Sequence, residues 1–409
     1  MSNYPPTPPN RDVRRYISDA TDPLDRGFAN PMHEPLVFTD RLARLPAWVS
    51  LALLLILLAA LGALGRRIGD GRATILVLAY VTFALADWLL LAALPRLGLS
   101  FGPPVPTLWA LWALRLLIAL IPLLIAPASA LTIGISLLCQ AVLFALSIYA
   151  LAVEPSRVTV THLALTNPHA AANARPLRIA HITDIHMERL TRRERQVVRL
   201  VNDWQPDLIL MTGDFLNLSN VGDERAIADV REMLGCMRSV CGTIYAVRGT
   251  SPVDPEWVMP PIVEGMALRV LEREVADIEL GGHRLCLLGL PCLRNLPVDG
   301  QRLRDLMEHV SRGAFTILLY HMPDLMPLAA RLGVDLYLAG HTHGGQVRLP
   351  IIGALATSSQ YGRRYQMGLY REGGTTLYVS RGLGMEGMGA PRIRFLAPPE
   401  ILFITLHPG

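Results

Sequence analysis

The chain has 409 residues, a formal net charge of +4 at pH 7, 51% hydrophobic residues and a mean hydropathy of +0.35. The apolar excess is high for a soluble protein, and it lies in residues 47–153 rather than being spread evenly. The small positive charge comes without a basic run, so we expect no nucleic-acid partner and at most an anionic membrane surface or substrate. This length allows about two to three domains.

Residues 1–46 are polar and rich in proline, as in the run Tyr4-Pro5-Pro6-Thr7-Pro8-Pro9. A segment of this composition buries too little apolar surface to offset the entropy of ordering. We therefore predict that residues 1–46 are disordered or loosely attached. Because this polar segment precedes the first apolar run, it does not match the short charged start of a signal peptide.

Four apolar segments follow, and each is close to the ~20 residues that a helix needs to cross a bilayer core. They predict a bundle of four transmembrane helices, at residues 47–65, 73–94, 108–126 and 128–153. The second segment carries Asp87 and the third carries Arg115. Charges inside a membrane tend to face the bundle interior and pair, so we expect these two to meet. The pair either holds the helices together or serves a ligand.

The arginines near the ends of the apolar segments bear on membrane sidedness. Four spans place both chain ends on one side, where the flanking arginines are Arg41, Arg44, Arg96 and Arg157. Those on the other side are Arg66, Arg67 and Arg72. Four arginines against three favour the cytoplasmic side for the C-terminal domain under the positive-inside rule.

From about residue 154 short β-type runs alternate with amphipathic helices, which indicates an α/β domain over residues 154–409. The predicted strands cover residues 177–183, 207–212, 243–247, 285–290, 315–320, 335–339, 366–370, 375–380 and 400–406. The predicted helices cover residues 192–204, 224–237, 301–310 and 324–332.

Aspartate and histidine residues directly follow four of these predicted strands. The motifs are Asp184-Ile185-His186, Gly213-Asp214, His321 and Gly340-His341-Thr342-His343. Side chains at the carboxyl ends of neighbouring strands in an α/β sheet converge in one crevice. We therefore expect six side chains to meet at one point: Asp184, His186, Asp214, His321, His341 and His343.

The chemistry of these six side chains points to divalent metal ions. Mixed carboxylate and imidazole ligands suit Mn, Fe or Zn. Six ligands are too many for one catalytic ion that keeps an open position, and they fit two ions that share a carboxylate. Two ions about 3.5–4 Å apart can clamp a phosphoryl group and lower the pKa of a bridging water.

In their order, these motifs resemble those of the calcineurin-like metallophosphoesterase superfamily, whose pattern is D-x-H, G-D, G-N-H-D/E, H and G-H-x-H. Four of the five blocks are present, and the resemblance covers residues from about 176 to 406. The extension Gly344-Gly345-Gln346 and the ending at residues 379–384 are similar to the bacterial membrane-anchored branch. The resemblance implies an α/β fold of two packed β-sheets flanked by helices, a four-layer sandwich, in a bacterial cell membrane.

The resemblance also implies a role for each motif residue. Asp184, His186 and His343 would hold one metal, Asp214 would bridge, and His321 and His341 would hold the second. The predicted catalytic residues are Asp214, His341 and Arg248, and we expect Arg248 and Arg381 to meet the phosphate. Asn217 either orients a bound group or is an ordinary loop residue.

The third block departs from the family pattern. Where G-N-H-D/E is expected, the chain reads Gly249-Thr250-Ser251-Pro252. Thr250 replaces the asparagine ligand of the second metal, and Ser251 replaces a histidine that helps to protonate the leaving group. A hydroxyl is a poorer ligand than an amide carbonyl, so we expect a weakened second site. Asp254, Glu256 or a water could complete it.

The leading interpretation is a membrane-anchored, metal-dependent phosphoesterase. It would hydrolyse a phosphodiester or pyrophosphate bond with a metal-activated water, in a lipid-linked or envelope substrate at the bilayer. One alternative is a catalytically impaired relative that binds metal or a phosphorylated ligand as a sensor or partner protein. Another is that the helices transport or bind something under the control of the C-terminal domain. The oligomeric state stays open.

Overall fold

The computed structural model describes residues 33–66, 69–124, 129–385 and 387–409, so most of the predicted disordered segment lies outside the described residues. The chain forms two compact units. The helical unit comprises Met32–Glu154 together with Gly387–Ile393. The α/β unit comprises Pro155–Glu386 and Arg394–Gly409.

The helical unit contains the four long apolar helices that the sequence predicts, preceded by a shorter one. In chain order these are α1 (His33–Ala43), α2 (Ala47–Gly65), α3 (Asp70–Ala93), α4 (Pro104–Leu124) and α5 (Ala130–Ile148). By length and composition, α2 to α5 are each able to cross a membrane. Their packing around buried residues such as Leu61, Tyr80 and Trp112 confirms the predicted helical bundle.

Helix α1 is a correction to the expectation that residues 1–46 lack regular structure. Residues 33–43 are helical, and the side chains of Asp40 and Arg44 form an ion pair one turn apart. Pairs at this spacing support a helix because the two side chains lie on the same face. The expectation is therefore wrong for residues 33–43, and residues 1–32 lie outside the described residues.

The predicted contact between Asp87 and Arg115 is confirmed. Both side chains are fully buried, and the guanidinium Nη2 of Arg115 donates to Asp87 Oδ1 at 2.6 Å. Its Nη1 donates to the side-chain oxygen of Gln140 at 3.0 Å. The pair thereby links α3, α4 and α5, which favours the structural alternative over a ligand-binding one.

Removing one partner of this pair is expected to destabilise the bundle. In Asp87→Leu, the charge of Arg115 stays buried without its counterion, and such a loss costs about 3–5 kcal/mol. Thermal melting of the detergent-solubilised full chain measures the loss. The matched control is Asp87→Leu with Arg115→Leu, which removes both charges and should recover most of the stability. Equal melting of the single variant and the unaltered protein would contradict a structural role.

The α/β unit contains two six-stranded sheets and one two-stranded sheet. Its strands are β1 (Thr159–Asn167), β2 (Leu177–Ile182), β3 (Leu208–Met211), β4 (Ile244–Ala246), β5 (Leu268–Val270), β6 (Glu274–Leu280), β7 (His283–Gly289), β8 (Phe315–Leu319), β9 (Leu336–Ala339), β10 (Arg348–Leu349), β11 (Gly353–Ala354), β12 (Gly368–Glu372), β13 (Thr375–Val379) and β14 (Glu400–Pro408). Its longer helices are α6 (Arg192–Trp204), α7 (Glu224–Gly235), α8 (Met259–Val263), α9 (Leu296–Met307) and α10 (Met326–Leu332).

The strand order explains where the site lies. One sheet has the order β1-β14-β2-β3-β4-β5, and the other has the order β12-β13-β9-β8-β7-β6. Strands β2 to β5 are mutually parallel, and so are β7, β8, β9 and β13. Parallel strands end at the same edge of their sheet, so the loops after them are neighbours.

Two apolar cores hold this arrangement. One lies between the sheets and contains residues of both, such as Ile179 and Leu210 from the first sheet and Leu287 and Ile317 from the second. The other core contains Leu303 of α9 and Met326 of α10, together with residues of the second sheet. The predicted α/β fold of two packed sheets flanked by helices is therefore confirmed. Strands β1, β5, β6, β10 and β11 are not among the predicted elements.

Candidate metal centre

The six predicted ligands lie in loops that follow β2, β3, β8 and β9, at the carboxyl ends of these strands. Asp184 and His186 follow β2, and Asp214 follows β3 in the same sheet. His321 follows β8, and His341 and His343 follow β9 in the other sheet. The structure brings all six together, in two groups that each could hold a metal ion: Asp184, His186 and His343, and Asp214, His321 and His341.

The first group is fully buried and compact. Nε2 of His343 lies 3.4 Å from Oδ1 of Asp184 and 3.1 Å from Nε2 of His186. Nε2 of His186 lies 3.9 Å from the same carboxylate oxygen. One carboxylate and two imidazoles at these separations form a donor set for a divalent transition metal.

Asp214 connects the two groups. Its Oδ2 lies 3.1 Å from Nε2 of His321 in its own group and 3.5 Å from Nε2 of His186 in the other. This carboxylate therefore occupies the position that a bridging ligand needs. Nδ1 of His321 donates to the backbone carbonyl of Thr212 at 2.6 Å, which turns Nε2 toward Asp214. A backbone partner of this kind fixes the orientation and tautomer of a metal-binding histidine.

A buried nitrogen without a partner tests whether the residues fit a metal. Nε2 of His341 is buried and, within the described part of the chain, makes no hydrogen bond. Leaving a buried polar atom unsatisfied costs about 1–3 kcal/mol, so such atoms call for a partner. A divalent cation between the two imidazoles and Asp214 would be that partner, and the donor set fits it.

The backbone of the ligand loops adopts a sparsely populated conformation. Five of the six ligand residues have left-handed φ values: Asp184 (48°), His186 (43°), Asp214 (56°), His341 (68°) and His343 (50°). Strain of this kind persists where the surrounding structure imposes it, and it concentrates at functional sites. The turns aim the side chains of successive loops at one point.

Glycines next to the ligands allow the loops to approach closely. A Cβ atom on Gly249 would lie 2.0 Å from Oδ1 of Asp214, and one on Gly340 would lie 2.0 Å from Oδ2 of Asp184. No side chain fits at either distance. The glycines of the G-D and G-H-T-H motifs and of the loop at 249 therefore permit the convergence that the sequence predicts.

The site concentrates charge that calls for a cation. Burial by itself raises the pKa of Asp214, but the neighbouring imidazoles of His321 and His186 lower it well below its usual range. Burial would lower the pKa of His321, yet Asp214 and Asp184 raise it to about 10. A proton on His321 thus balances the buried carboxylate of Asp214. A divalent ion would supply that positive charge instead, and its binding would release the proton.

The loop at 249–252 borders the site, but its side chains add no ligand of the expected kind. The backbone N–H of Thr250 donates to Oδ1 of Asp214 at 2.8 Å, and its hydroxyl lies 3.1 Å from the same oxygen. The hydroxyl of Ser251 donates to the carbonyl of Cys292 at 3.3 Å. The group around Asp214 therefore has three protein ligands of the His, Cys, Asp or Glu type among the described residues.

Asp254 and Glu256 do not complete the second group. The carboxylate of Asp254 accepts hydrogen bonds from the backbone N–H groups of Asp214 (2.6 Å), Phe215 (3.0 Å) and Gly249 (2.8 Å). Burial, followed by the charge of Asp214, raises its pKa to about 7. Asp254 therefore ties the two ligand loops together. The Glu256 side chain is 86% exposed and lies 3.3 Å from Nη2 of Arg248.

The two arginines expected to meet the phosphate are both committed to acidic residues. Nη2 of Arg248 donates to Glu272 at 3.0 Å, and its Nη1 donates to the carbonyl of Asp254. Nη2 of Arg381 lies 3.2 Å from Glu400. Both side chains are held by these ion pairs, and the contact of Arg248 and Arg381 with a phosphate stays a prediction.

Asn217 and Arg394 organise the loops around the site. Asn217 is buried; its amide donates to the carbonyl of Met385 and accepts from the N–H of Ser219, which supports the ordinary loop alternative. Arg394 is missing from the predicted site. Its buried guanidinium donates to the carbonyls of Arg381 and Ala397 and lies 3.4 Å from Nδ1 of His343. No motif in the sequence indicates this role.

The fold and the site together define an α/β protein of two packed sheets, in which two Asp/His groups lie at the carboxyl ends of strands from both sheets. The model of the calcineurin-like phosphoesterase family matches residues 177–249, which contain Asp184, His186 and Asp214. The uncharacterized metallophosphoesterase YkuE of Bacillus subtilis is 28% identical over 263 residues, which is 63% of this chain and 88% of the relative.

Two further relatives carry names that describe an activity. UDP-2,3-diacylglucosamine pyrophosphatase LpxG of Chlamydia muridarum is 25% identical over 302 residues, covering 62% of this chain and 91% of the relative. Phosphodiesterase YaeI of Escherichia coli is 27% identical over 246 residues, covering 57% of this chain and 83% of the relative. These matches support the calcineurin-like metallophosphoesterase superfamily for this chain. That similarity supports a phosphoesterase hydrolase, and the family is metal-dependent.

Proposed function

We propose that this protein is a membrane-anchored, metal-dependent phosphoesterase that hydrolyses a phosphodiester or pyrophosphate bond. The observation that carries the proposal is the convergence of two buried Asp/His groups on either side of Asp214. In this proposal the domains are the N-terminal segment 1–46, the membrane-spanning region 47–153 and the phosphoesterase domain 154–409. The cytoplasmic side is proposed for the last of these, from the arginines that flank the spans.

Each site residue has a role in this proposal. Asp184, His186 and His343 would hold one divalent ion, His321 and His341 would hold a second, and Asp214 would serve as the carboxylate between the two groups. Such ions would supply a water of lowered pKa and neutralise charge on the phosphoryl group. Thr212 keeps His321 in the tautomer that exposes Nε2. The leaving group takes its proton from water, since Ser251 replaces the expected histidine.

The proposed substrate is a phosphorylated molecule linked to a lipid. Two observations support this choice. One is that four helices of the chain are long and apolar enough to cross a membrane. The other is that a relative at 25% identity is named as a pyrophosphatase of UDP-2,3-diacylglucosamine, whose name describes an acylated sugar nucleotide. A nucleotide phosphate is also a good leaving group, which suits a site without a histidine acid.

A soluble diester assay tests the proposal. The purified full chain should hydrolyse bis-(p-nitrophenyl) phosphate with added Mn²⁺ and lose this activity after dialysis against a chelator. Asp184→Asn should lower the rate by about a hundredfold or more, since even the loss of a residue that merely supports a ligand costs about 10–100-fold. The matched control is His309→Ala, which changes an exposed histidine of the same unit. Unchanged hydrolysis in Asp184→Asn would refute the assignment.

A second candidate function rests on the altered loop. Because Thr250 and Ser251 stand where the family has asparagine and histidine, the chain could bind metal or a phosphorylated ligand without turnover. That function predicts Mn²⁺ binding by calorimetry, removed by Asp184→Asn, together with no hydrolysis of any diester. Measurable turnover that follows the metal content would exclude it.

A further inference from the structure

A small β-hairpin follows the last ligand histidine and exposes apolar side chains at its tip. Strands β10 and β11 pair Arg348 with Ala354 and Leu349 with Gly353, and residues 350–352 form the turn. We call residues 349–355 the apolar hairpin. The accessible surface of Ile351 is 108% of the reference value for a fully exposed isoleucine, while Leu355 is 58% exposed and Ile352 is 54% exposed. The hairpin therefore buries little of its own apolar surface.

Exposed apolar residues are not spread evenly over the α/β unit. Among its described residues, the exposed large hydrophobic side chains are Val240, Val298, Leu349, Ile351, Ile352, Leu355, Tyr361, Leu369 and Leu396. Five of these nine fall within residues 349–361. Single exposed hydrophobics are normal on any protein, whereas a cluster marks a surface that contacts a partner or a membrane.

Folding of the hairpin does not require the isoleucine at its tip. Ile351 has a φ of 69°, a left-handed conformation that β-branched residues rarely adopt. Glycine or asparagine would suit this turn position better. Because Ile351 costs conformational strain and is fully exposed, its apolar side chain contributes little to packing within the unit. An external apolar environment would explain it.

The surroundings of the apolar hairpin are basic. Residues 346–371 contain four arginines and no aspartate or glutamate: Arg348, Arg363, Arg364 and Arg371. Of these, Arg364 pairs with Glu372, the next residue after this range, at 2.6 Å. Nη1 of Arg363 donates to the carbonyl of Ile352 at 2.7 Å, and Arg364 lies over the ring of Tyr365 at 5.1 Å. Aliphatic side chains next to arginine and tyrosine are typical of surfaces at a membrane interface, where arginine meets anionic lipid headgroups.

The base of the hairpin is held by two segments of the chain. Nη1 of Arg348 donates to the carbonyl of Gly344, the residue after the ligand His343, at 2.9 Å. The backbone N–H of Arg348 donates to the carbonyl of Phe395 at 2.9 Å. The hairpin is therefore fixed to the segment that follows His343 and to the backbone of Phe395.

We propose that the apolar hairpin inserts its tip into the interface of an anionic lipid bilayer. Ile351, Ile352 and Leu355 enter the boundary between headgroups and acyl chains, while Arg363, which contacts the carbonyl of Ile352, meets a lipid phosphate. This contact is separate from the four apolar helices and does not depend on catalysis. It would set the metal centre close to the headgroup layer, where a lipid-linked phosphate lies.

Lipid quenching of a probe at the tip tests the insertion. In the full chain, Cys139, Cys236 and Cys241 are replaced by alanine, and Ile351→Cys is labelled with an environment-sensitive fluorophore. The labelled protein is placed in phosphatidylcholine–phosphatidylglycerol vesicles. We expect a blue shift and quenching by spin-labelled lipids. The matched control carries the label at Val240→Cys, an exposed apolar position outside the cluster, and should show neither effect. The same spectra and quenching for both labels would overturn the proposal. A blue shift that grows with the number of protein molecules per vesicle would also overturn it and would indicate self-association.

A second variant separates membrane contact from folding and from hydrolysis. Ile351→Asn should melt at the same temperature as the unaltered protein or slightly higher, because asparagine accepts the left-handed turn. Its rate on soluble bis-(p-nitrophenyl) phosphate should be unchanged, while hydrolysis of a vesicle-borne p-nitrophenyl phospholipid should fall about tenfold. Equal loss on both substrates would overturn the insertion. Absence of hydrolysis in the unaltered protein would count against the proposed phosphoesterase alone, and the quenching result would still decide the insertion.

Discussion

Asp214→Asn is expected to abolish metal-dependent hydrolysis and to remove the second ion. The Oδ2 atom of Asp214 lies within 3.5 Å of imidazole nitrogens from both groups, so one substitution weakens both sites. A neutral amide cannot supply the negative charge that a pair of cations requires. Loss of a residue that only supports a ligand already costs about 10–100-fold, and we expect a loss of about 10³-fold or more here.

Metal content and melting temperature check this expectation independently of turnover. Elemental analysis should give fewer ions per chain for Asp214→Asn than for the unaltered protein. The rise in melting temperature on adding Mn²⁺ should be smaller for the variant, because a ligand that binds the folded state less tightly stabilises it less. The matched control is Asp203→Asn, which removes an exposed aspartate of the same unit. Two ions and full activity in Asp214→Asn would show that Asp214 does not bridge.

The convergence of the six predicted ligands could be anticipated because it depends on a local rule. Asp184 and His321 directly follow apolar runs, Asp214 follows one after a single glycine, and parallel strands end at the same edge of a sheet. The left-handed φ values of the ligand residues follow the same logic, since the chain must turn sharply at each strand end. Local sequence determines both features.

Features that depend on distant partners could not be predicted. Arg248 occupies the expected loop, but Glu272, 24 residues away, decides the direction of its side chain. Strand β1 pairs with β14, whose residues lie more than 200 positions later in the chain. Arg394 acts by donating to the carbonyl of Arg381, and no motif in the sequence includes Arg394 itself. In each case the decisive contact is tertiary, and neither periodicity nor spacing carries it.

The helical unit also contains both features that local sequence predicts and features that depend on distant contacts. The apolar runs predict the four long helices and even the pairing of Asp87 with Arg115, because a buried charge needs a counterion. They do not predict that residues 387–393 join the same unit, with Ile393 packed against its core. A short segment from the far end of the chain has no apolar period of its own to indicate this.

Substitutions in the loop at residues 249–252 are expected to have the second large effect on metal binding and rate. Thr250→Asn combined with Ser251→His should tighten the second metal and raise the rate on diesters with poor leaving groups. The backbone N–H of Thr250 already bonds Asp214 at 2.8 Å, so an asparagine at this position lies next to the second group. An amide carbonyl is a better metal ligand than a hydroxyl. A histidine at 251 can donate a proton, which is typically worth about 10²–10⁴ in rate.

The two single variants separate these effects. Thr250→Asn alone should lower the Mn²⁺ concentration needed for half-maximal activity without changing the dependence of rate on the leaving group. Ser251→His alone should raise the rate on ethyl esters and leave that on p-nitrophenyl esters nearly unchanged, because a good leaving group needs no acid. Thr250→Val, which removes only the hydroxyl, should leave the second ion no tighter. If the unaltered protein binds two ions equally tightly and the double variant loses activity, another group already completes the second site. Thr250 and Ser251 would then not limit metal binding or turnover.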